Sequence, residues 1–176
     1  MRPSPIQLKH VIYTKVSVTP YAAENEKPEQ AIGFEFDGVN IRSKVGIARK
    51  PGQENDPRDF LVDLEVEIDN RQGKATPYNI EVGVIGVFDV LPSLPRERRE
   101  DLVAVNGASI LYGIIREAVL SLTSRFASGA LTLPGVNFED NAPSQRAAQS
   151  AVPEIASKKI SKRAGTARLK KNTTKS

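Results

Sequence analysis

The chain has 176 residues and a mass of 19.2 kDa, which is enough for one domain with a hydrophobic core. It has no cysteine and a single histidine, His10, so disulfides, cysteine nucleophiles and thiolate or histidine metal clusters are excluded. Because neither a bilayer-spanning apolar stretch nor a secretory signal in residues 1–9 is recognised, we expect a cytoplasmic protein without membrane insertion.

The net charge of +4 is unevenly distributed along the chain. Residues 141–176 carry nine Lys or Arg against one acid, Glu154, for a net charge of +8. Residues 1–140 carry 16 bases and 20 acids, for a net charge of −4. Because the basic segment has no aromatic residue and few large aliphatic ones, we expect a folded domain in 1–140 and a disordered tail in 141–176.

Apolar and polar residues alternate in the first half of the chain, which is typical of strands with one buried face. The first such segment runs from Ile6 to Val18, with apolar residues mainly at even positions. The second begins at Ala31, and a bulge at Gly38 would explain why its apolar parity changes there.

The third and fourth segments show the clearest alternation. The third strand is predicted around Phe60–Ile68, and the fourth runs from Tyr78 to Val90. The outward face of the third carries a row of acids, namely Asp63, Glu65, Glu67 and Asp69. Short loops between consecutive strands favour an antiparallel meander over parallel pairing.

The spacing of apolar residues then becomes helical. It predicts a loop over Leu91–Leu102, a long helix over Asn106–Phe126, and a possible helix end at Gly129. The apolar stripe of this helix is wider than one sheet can cover, so we expect a second subunit to cover the rest. The fold class is therefore α+β, a four-stranded antiparallel sheet (meander) followed by one long helix.

No catalytic constellation is recognisable in the sequence, so we expect no enzyme activity. His10 has no partner nucleophile on its own strand face, and no glycine-rich phosphate loop is present, so no cofactor is expected. The acidic row from Asp63 to Asp69 is read as a solvated surface or as the binding face for a basic partner, because catalytic carboxylates need a cleft that shifts their pKa. The basic tail has two interpretations, a solubilising extension or a contact with nucleic acid, ribosome or an acidic surface.

Three segments resemble the SecB family of export chaperones. Gly86–Val90 resembles the end of the family's fourth strand, Asn106–Arg125 with its Arg116-Glu117 pair resembles the main helix, and Leu133–Phe138 resembles the loop after that helix. The resemblance implies a dimer of dimers that holds unfolded polypeptide in apolar grooves without catalysis. Two departures, Tyr112–Ile115 in the middle of the helix and the basic tail after Asp140, indicate a divergent member of the kind associated with toxin–antitoxin systems.

The sequence therefore predicts an ATP-independent chaperone for unfolded or extended clients such as preproteins or an antitoxin, assembled as a tetramer. The SecA motor is a further candidate partner. The alternative is an adaptor of the same fold whose tail contacts nucleic acid or a ribosome. The candidate client-binding residues are Val11, Tyr13, Ile85, Val87, Leu91, Leu94, Leu131 and Leu133.

Overall fold

Four strands and one long helix account for the regular structure in residues 4–22 and 30–145, which are the residues that the computed structural model describes. The strands are β1 (Ile6–Pro20), β2 (Arg42–Arg49), β3 (Asp59–Ile68) and β4 (Tyr78–Val90). All neighbouring strands pair antiparallel. The predicted fold class, an antiparallel four-stranded sheet followed by one helix, is confirmed.

The order of strands in the sheet is β1-β4-β3-β2. The predicted meander therefore holds only for β2, β3 and β4, and β1 pairs with β4 instead of β2. The connections that join β2 to β3 and β3 to β4 are less than half as long as the one between Pro20 and Arg42, which allows β1 to lie at the far edge of the sheet.

Two bulges change the direction in which the side chains of β1 point. The register with β4 shifts between Leu8 and His10 and again between Tyr13 and Lys15. Because each bulge inserts one residue, it reverses the alternation of faces. Tyr13 therefore pairs with the buried Val84 on the helix side of the sheet, and the prediction that even positions share one face throughout β1 is wrong.

The segment that was predicted to begin the second strand at Ala31 is irregular up to Arg42. Gly33 and Gly38 both have positive φ, at 76° and 83°, which L-residues with a Cβ rarely adopt. Gly38 lies in a turn closed by a 3.0 Å hydrogen bond from the Val39 amide to the Phe36 carbonyl. The predicted bulge at Gly38 is therefore wrong, because the chain reverses there instead of continuing as a strand.

The helix begins earlier than predicted. It consists of α1 (Arg96–Leu102), a π-helical segment (Val103–Gly107) and α2 (Ala108–Thr123), and a short 3-10 helix follows at Glu139–Asn141. The loop predicted over Leu91–Leu102 is therefore wrong from Arg96 onward. Pro95 precedes the first turn, a position where the missing proline N–H has no helical partner to lose.

By length and composition alone, the 28-residue helix Arg96–Thr123 could span a membrane, contrary to the sequence-based expectation. Its most apolar 18-residue window has a mean hydropathy of 1.4, and 44% of that window is buried. The buried positions of α2, which include Leu111, Ile115 and Val119, belong to the hydrophobic core with β3 and β4. Packing of this helix against the sheet therefore accounts for its apolar composition.

The loop after the helix covers a second side of it. Leu131, Leu133 and Phe138 are almost completely buried in the core. The Tyr112 hydroxyl donates to the Pro134 carbonyl at 2.8 Å, and Arg116 Nε donates to the Leu133 carbonyl at 2.9 Å. Part of the wide apolar stripe that was expected to need a second subunit is therefore covered by this chain's own loop.

The described chain stays in contact with the helix beyond the boundary predicted at residue 140. Ala142 is buried, and the Ser144 amide donates to Asp101 Oδ1 at 3.0 Å. The rest of the predicted tail, residues 146–176, lies outside the described residues.

A side chain at Gly86 should destabilise the fold, because this glycine lets the helix approach the sheet closely. A Cβ there would lie 2.6 Å from Phe88 Cε2 and 2.8 Å from Leu111 Cδ2, and both side chains are fully buried. We expect Gly86→Ala to lower the free energy of unfolding by about 1–3 kcal/mol, measured by urea denaturation. Gly46→Ala is the matched control, since its Cβ would meet only Asp63 Cβ at 3.6 Å. Equal stability of the two variants would contradict the close approach.

Candidate functional site

The structure does not bring the eight predicted client-binding residues into one groove. Val11 and Tyr13 lie on the helix side of β1, and Ile85 and Val87 lie on the opposite, outer face of the sheet. Leu91 and Leu94 lie in the connection between β4 and α1, and both are half-buried. Leu131 and Leu133 are 0% and 1% exposed, so the expectation that these loop side chains are accessible is wrong.

One half of the outer sheet face is apolar. Ile12 pairs with Ile85, and Leu61 pairs with Val87, so four apolar side chains from three strands lie side by side. We call Ile12, Leu61, Ile85 and Val87 the outer apolar patch. The two bulges of β1 place Ile12 on this face, which the uninterrupted alternation did not predict.

A cleft of about 410 Å³ adjoins the outer apolar patch. Its apolar lining residues include Leu61 and Val87 of the patch and the buried Phe60, and charged residues also line it. Lys50 lies 3.4 Å from Asp59, and both line the cleft. The other lining residues are Lys9, His10 and Pro51. A mainly apolar cleft that also contains charged groups suits an apolar side chain of an extended segment.

The other half of the outer face carries the predicted acidic row, and bases of this chain neutralise most of it. Arg42 Nη2 lies 2.6 Å from both Glu67 Oε1 and Asp69 Oδ2, and Lys44 Nζ lies 3.3 Å from Glu65 Oε2. Salt bridges within this chain therefore already compensate three of the four acids of the row.

Two neighbouring groups lower the pKa of Asp69. The Arg71 backbone amide and then the Arg42 guanidinium hold the pKa of this carboxyl below its ordinary value. Asp63 is exposed at the end of the row that borders the outer apolar patch, where it pairs with Ile85 across the strands. A basic partner would have to compete with Arg42 and Lys44 for the remaining acids.

The helix side of β1 exposes a second apolar surface. Tyr13 is 44% exposed and Val16 is 48% exposed, although both face the same side as the core. Burial and then the nearby Glu117 carboxylate raise the pKa of the Tyr13 hydroxyl, which places this tyrosine beside α2. Three large apolar side chains of α2 are also exposed, namely Ile110, Leu120 and Leu122.

Sequence reasoning missed Ile32, which is the most exposed large apolar side chain in the described residues, at 77%. It lies beside Gly129, where a Cβ would come within 3.5 Å of Ile32 Cγ1. The only signal in the sequence was that an apolar residue directly precedes Gly33. Because this residue was assigned to the predicted second strand, its exposure was not expected.

Sequence reasoning also missed a cluster of charged side chains at the start of the helix. Arg99 is buried, with 4% of its side chain exposed, and it donates to Asp56 Oδ1 at 2.7 Å. Hydrogen bonds from Arg99, and then those from Arg58, hold the pKa of Asp56 below its ordinary value. Because the partners lie about forty positions apart, no local pattern could have indicated this cluster.

Residues 4–22 and 30–145 include no group of three or more histidine, aspartate or glutamate side chains that could hold a metal ion. The side chains of this region thus offer apolar surface and paired charges for binding.

Comparison with known proteins places this fold and sequence among protein-export proteins. The family model described as preprotein translocase subunit SecB matches residues 23–149. A protein-export protein SecB from Acidithiobacillus ferrooxidans is 36% identical over 134 residues, which are 76% of this chain and 81% of that protein. A protein-export protein SecB from Dechloromonas aromatica is 35% identical over 80 residues, which are 46% of this chain and 52% of that protein.

A solved structure shares the fold. It is the Mycobacterium tuberculosis SecB-like chaperone Rv1957 in complex with a ChAD peptide from the Rv1956 HigA1 antitoxin. The TM-score is 0.51 with 21% sequence identity, and the match covers 76% of this chain and 91% of that chain.

Proposed function

The chain belongs to the SecB family of protein-export chaperones, and we propose that it holds unfolded or extended polypeptides on the outer apolar patch without using ATP. The observation that carries this proposal is the cleft of about 410 Å³, whose accessible lining is mainly apolar and includes the exposed Leu61. Ile85 and Val87 come from the set predicted from the sequence, and Ile12 and Leu61 extend that set across three strands.

Apolar contact supplies the affinity in this proposal. Removing apolar surface from water contributes about 25 cal/mol per Å², and part of that gain offsets the loss of freedom on association. Release follows from folding of the client or its transfer to a partner. The family is non-enzymatic, and we propose that this chain has no catalytic activity either.

Further features of the function are proposed on the same basis. The helix-side surface with Tyr13 and Val16 is the contact through which subunits assemble into a tetramer, as a dimer of dimers. An antitoxin is a candidate client, supported by the antitoxin peptide held by the M. tuberculosis neighbour of the same fold. The protein is proposed to act in the cytoplasm.

Two partner contacts remain as proposals from the charge pattern. The acids Asp63, Glu65, Glu67 and Asp69 would offer a docking face to a basic partner, in competition with Arg42 and Lys44. The SecA motor is a separate candidate partner. The basic segment within residues 141–176, with nine Lys or Arg, would contact nucleic acid or ribosome, and salt should weaken that contact steeply.

The holding function is tested by replacing all four residues of the outer apolar patch with threonine. Threonine keeps strand propensity while removing apolar surface. We expect at least about tenfold weaker binding of a permanently unfolded client, equivalent to about 1.4 kcal/mol, measured by fluorescence anisotropy and by suppression of aggregation without nucleotide. Circular dichroism and the oligomer mass should stay unchanged.

Ile32→Thr is the matched control, because it removes an exposed apolar side chain at a different part of the surface. This variant should hold the client as the wild type does. If Ile32→Thr abolishes holding and the fourfold variant does not, the clients bind beside Gly129 instead of on the outer face. If the wild type holds no unfolded client, including an antitoxin, the chaperone proposal is wrong.

A further inference from the structure

Three arginines converge on one carboxylate in a cleft beneath the start of the helix. Arg99 Nη1 and Arg96 Nε lie 2.7 Å and 3.2 Å from Asp56 Oδ1, and Arg58 Nη2 lies 2.9 Å from Asp56 Oδ2. The cleft has a volume of about 380 Å³. We call Asp56, Arg58, Arg96 and Arg99 the arginine cluster. Its remaining lining residues are Pro92, Ser93, Leu94 and Pro95.

The arginine cluster has an excess of positive charge. Three guanidinium groups and one carboxylate line the cleft, so the lining carries a net charge of +2. The ion pairs of Lys9 with Asp89 and of Lys50 with Asp59 each join one base to one acid. The cleft differs from these two pairs because it has two more bases than acids.

The three arginines differ in their capacity to bind another group. Arg99 is committed to the fold, because it also donates to the backbone carbonyls of Leu94, Pro57 and Pro92 at 2.9, 3.0 and 3.4 Å. Arg96 has 62% of its side chain exposed and contacts Asp56 through Nε. Its terminal nitrogens have no protein partner within residues 4–22 and 30–145.

Arg58 is also accessible, with 45% of its side chain exposed. It reaches Asp56 Oδ2 through both Nε and Nη2, and its other terminal nitrogen makes no hydrogen bond within residues 4–22 and 30–145. Arg58 and Arg96 can therefore donate to a second anion while Arg99 holds Asp56 in place.

We propose that the arginine cluster binds a side-chain carboxylate of an acidic peptide segment from a bound polypeptide. Guanidinium groups pair with carboxylates in a planar, two-bond geometry. Leu94 and two prolines also line the cleft, but most of its accessible surface is polar, which suits a charged side chain of a peptide. No lining residue of this cleft is aromatic, so it offers no platform on which a nucleic-acid base could stack.

The position of the cleft connects this inference to client holding. The segment from Lys50 to Asp59 contributes Asp56 and Arg58 to the arginine cluster, and Lys50 and Asp59 to the cleft beside the outer apolar patch. A segment that fills the apolar cleft can continue across this loop to the arginine cluster. The inference rests on the proposed function for its partner, and it adds a preference for clients in which acidic and apolar residues are adjacent.

The test compares two fluorescein-labelled peptides, one with the core Leu-Glu-Glu-Leu and one with Leu-Gln-Gln-Leu, by anisotropy at low salt. We expect the wild type to bind the acidic peptide about tenfold more tightly, as for a charge-assisted pair. In the double variant Arg58→Gln/Arg96→Gln both peptides should bind equally. Both side chains are exposed, so circular dichroism should match the wild type.

Arg42→Gln is the matched control, because it removes the same charge from the opposite end of the outer face. It should keep the preference for the acidic peptide. The inference is overturned if the wild type binds both peptides equally, if the double variant keeps the preference, or if Arg42→Gln abolishes it. Binding of the neutral peptide reports separately on the proposed holding function. A preference for the acidic peptide that depends on Arg58 and Arg96 therefore supports anion binding in the cleft even if the neutral peptide is not held.

Discussion

Replacing Leu131 and Leu133 with alanine should unfold most of the protein. Both side chains are buried between the loop and the helix, at 0% and 1% exposed. A leucine-to-alanine change at such a site costs about 2–5 kcal/mol, because it removes apolar contacts and leaves a cavity. The two changes together approach the whole stability of an ordinary domain, about 5–15 kcal/mol.

The measurement is urea denaturation at a fixed protein concentration, since assembly also affects apparent stability. Val136→Ala is the control from the same loop, because Val136 is exposed and should change stability by less than about 1 kcal/mol. A double variant as stable as the wild type would show that the loop does not pack as described. Loss of client holding in the double variant would report unfolding and not a missing contact.

A single aspartate at Val16 should break the assembly of subunits. Val16 and Tyr13 expose apolar surface on the helix side of β1, and the Glu117 carboxylate already lies near Tyr13. An added carboxylate in a subunit contact would be desolvated and repelled, and a twofold interface repeats this cost in both copies. Light scattering at micromolar concentration should give a wild-type mass well above 19.2 kDa and a clearly lower mass for Val16→Asp.

Ile12→Asp provides a close control, since Ile12 lies on the opposite face of the same strand. This variant should keep the wild-type mass and lose client binding. A wild-type protein of 19.2 kDa would disprove the proposed tetramer. A mass that falls for Ile12→Asp but not for Val16→Asp would place the subunit contact on the outer face.

The sequence predicted the sheet best where the alternation is long and uninterrupted. In β3 and β4 every second residue from Phe60 to Ile68 and from Tyr78 to Val84 is buried. The reason is that one face of each strand lies against the core along its whole length, while the other lies on the outer face of the sheet. In β1 the pattern misled, since the bulges at Lys9 and Thr14 arise from pairing with β4 and leave no separate mark in the alternation.

The ends of the helix and the candidate site were harder to predict, because both depend on contacts between distant residues. The charged run after Pro95 resembled a loop, yet it forms a helix in which Arg99 is held by acceptors from Asp56 and Pro57. A proline before a charged first turn was the available signal for the true helix start. Leu131 and Leu133 lie in an irregular loop, so their burial in the core could not be deduced from the local sequence.

The bulged geometry of β1 also affects how safely this protein can display apolar surface. Between the pairs Ile6–Val90 and Pro20–Tyr78, β1 uses two more residues than β4, so the edge of the sheet must bend and coil. A bent edge is a poor template for the flat, continuous strand addition that starts fibrils. The geometry of the strand that exposes Ile12, Tyr13 and Val16 therefore disfavours unlimited self-association. Aggregation of this kind is a hazard for any protein that must expose apolar side chains to bind its clients.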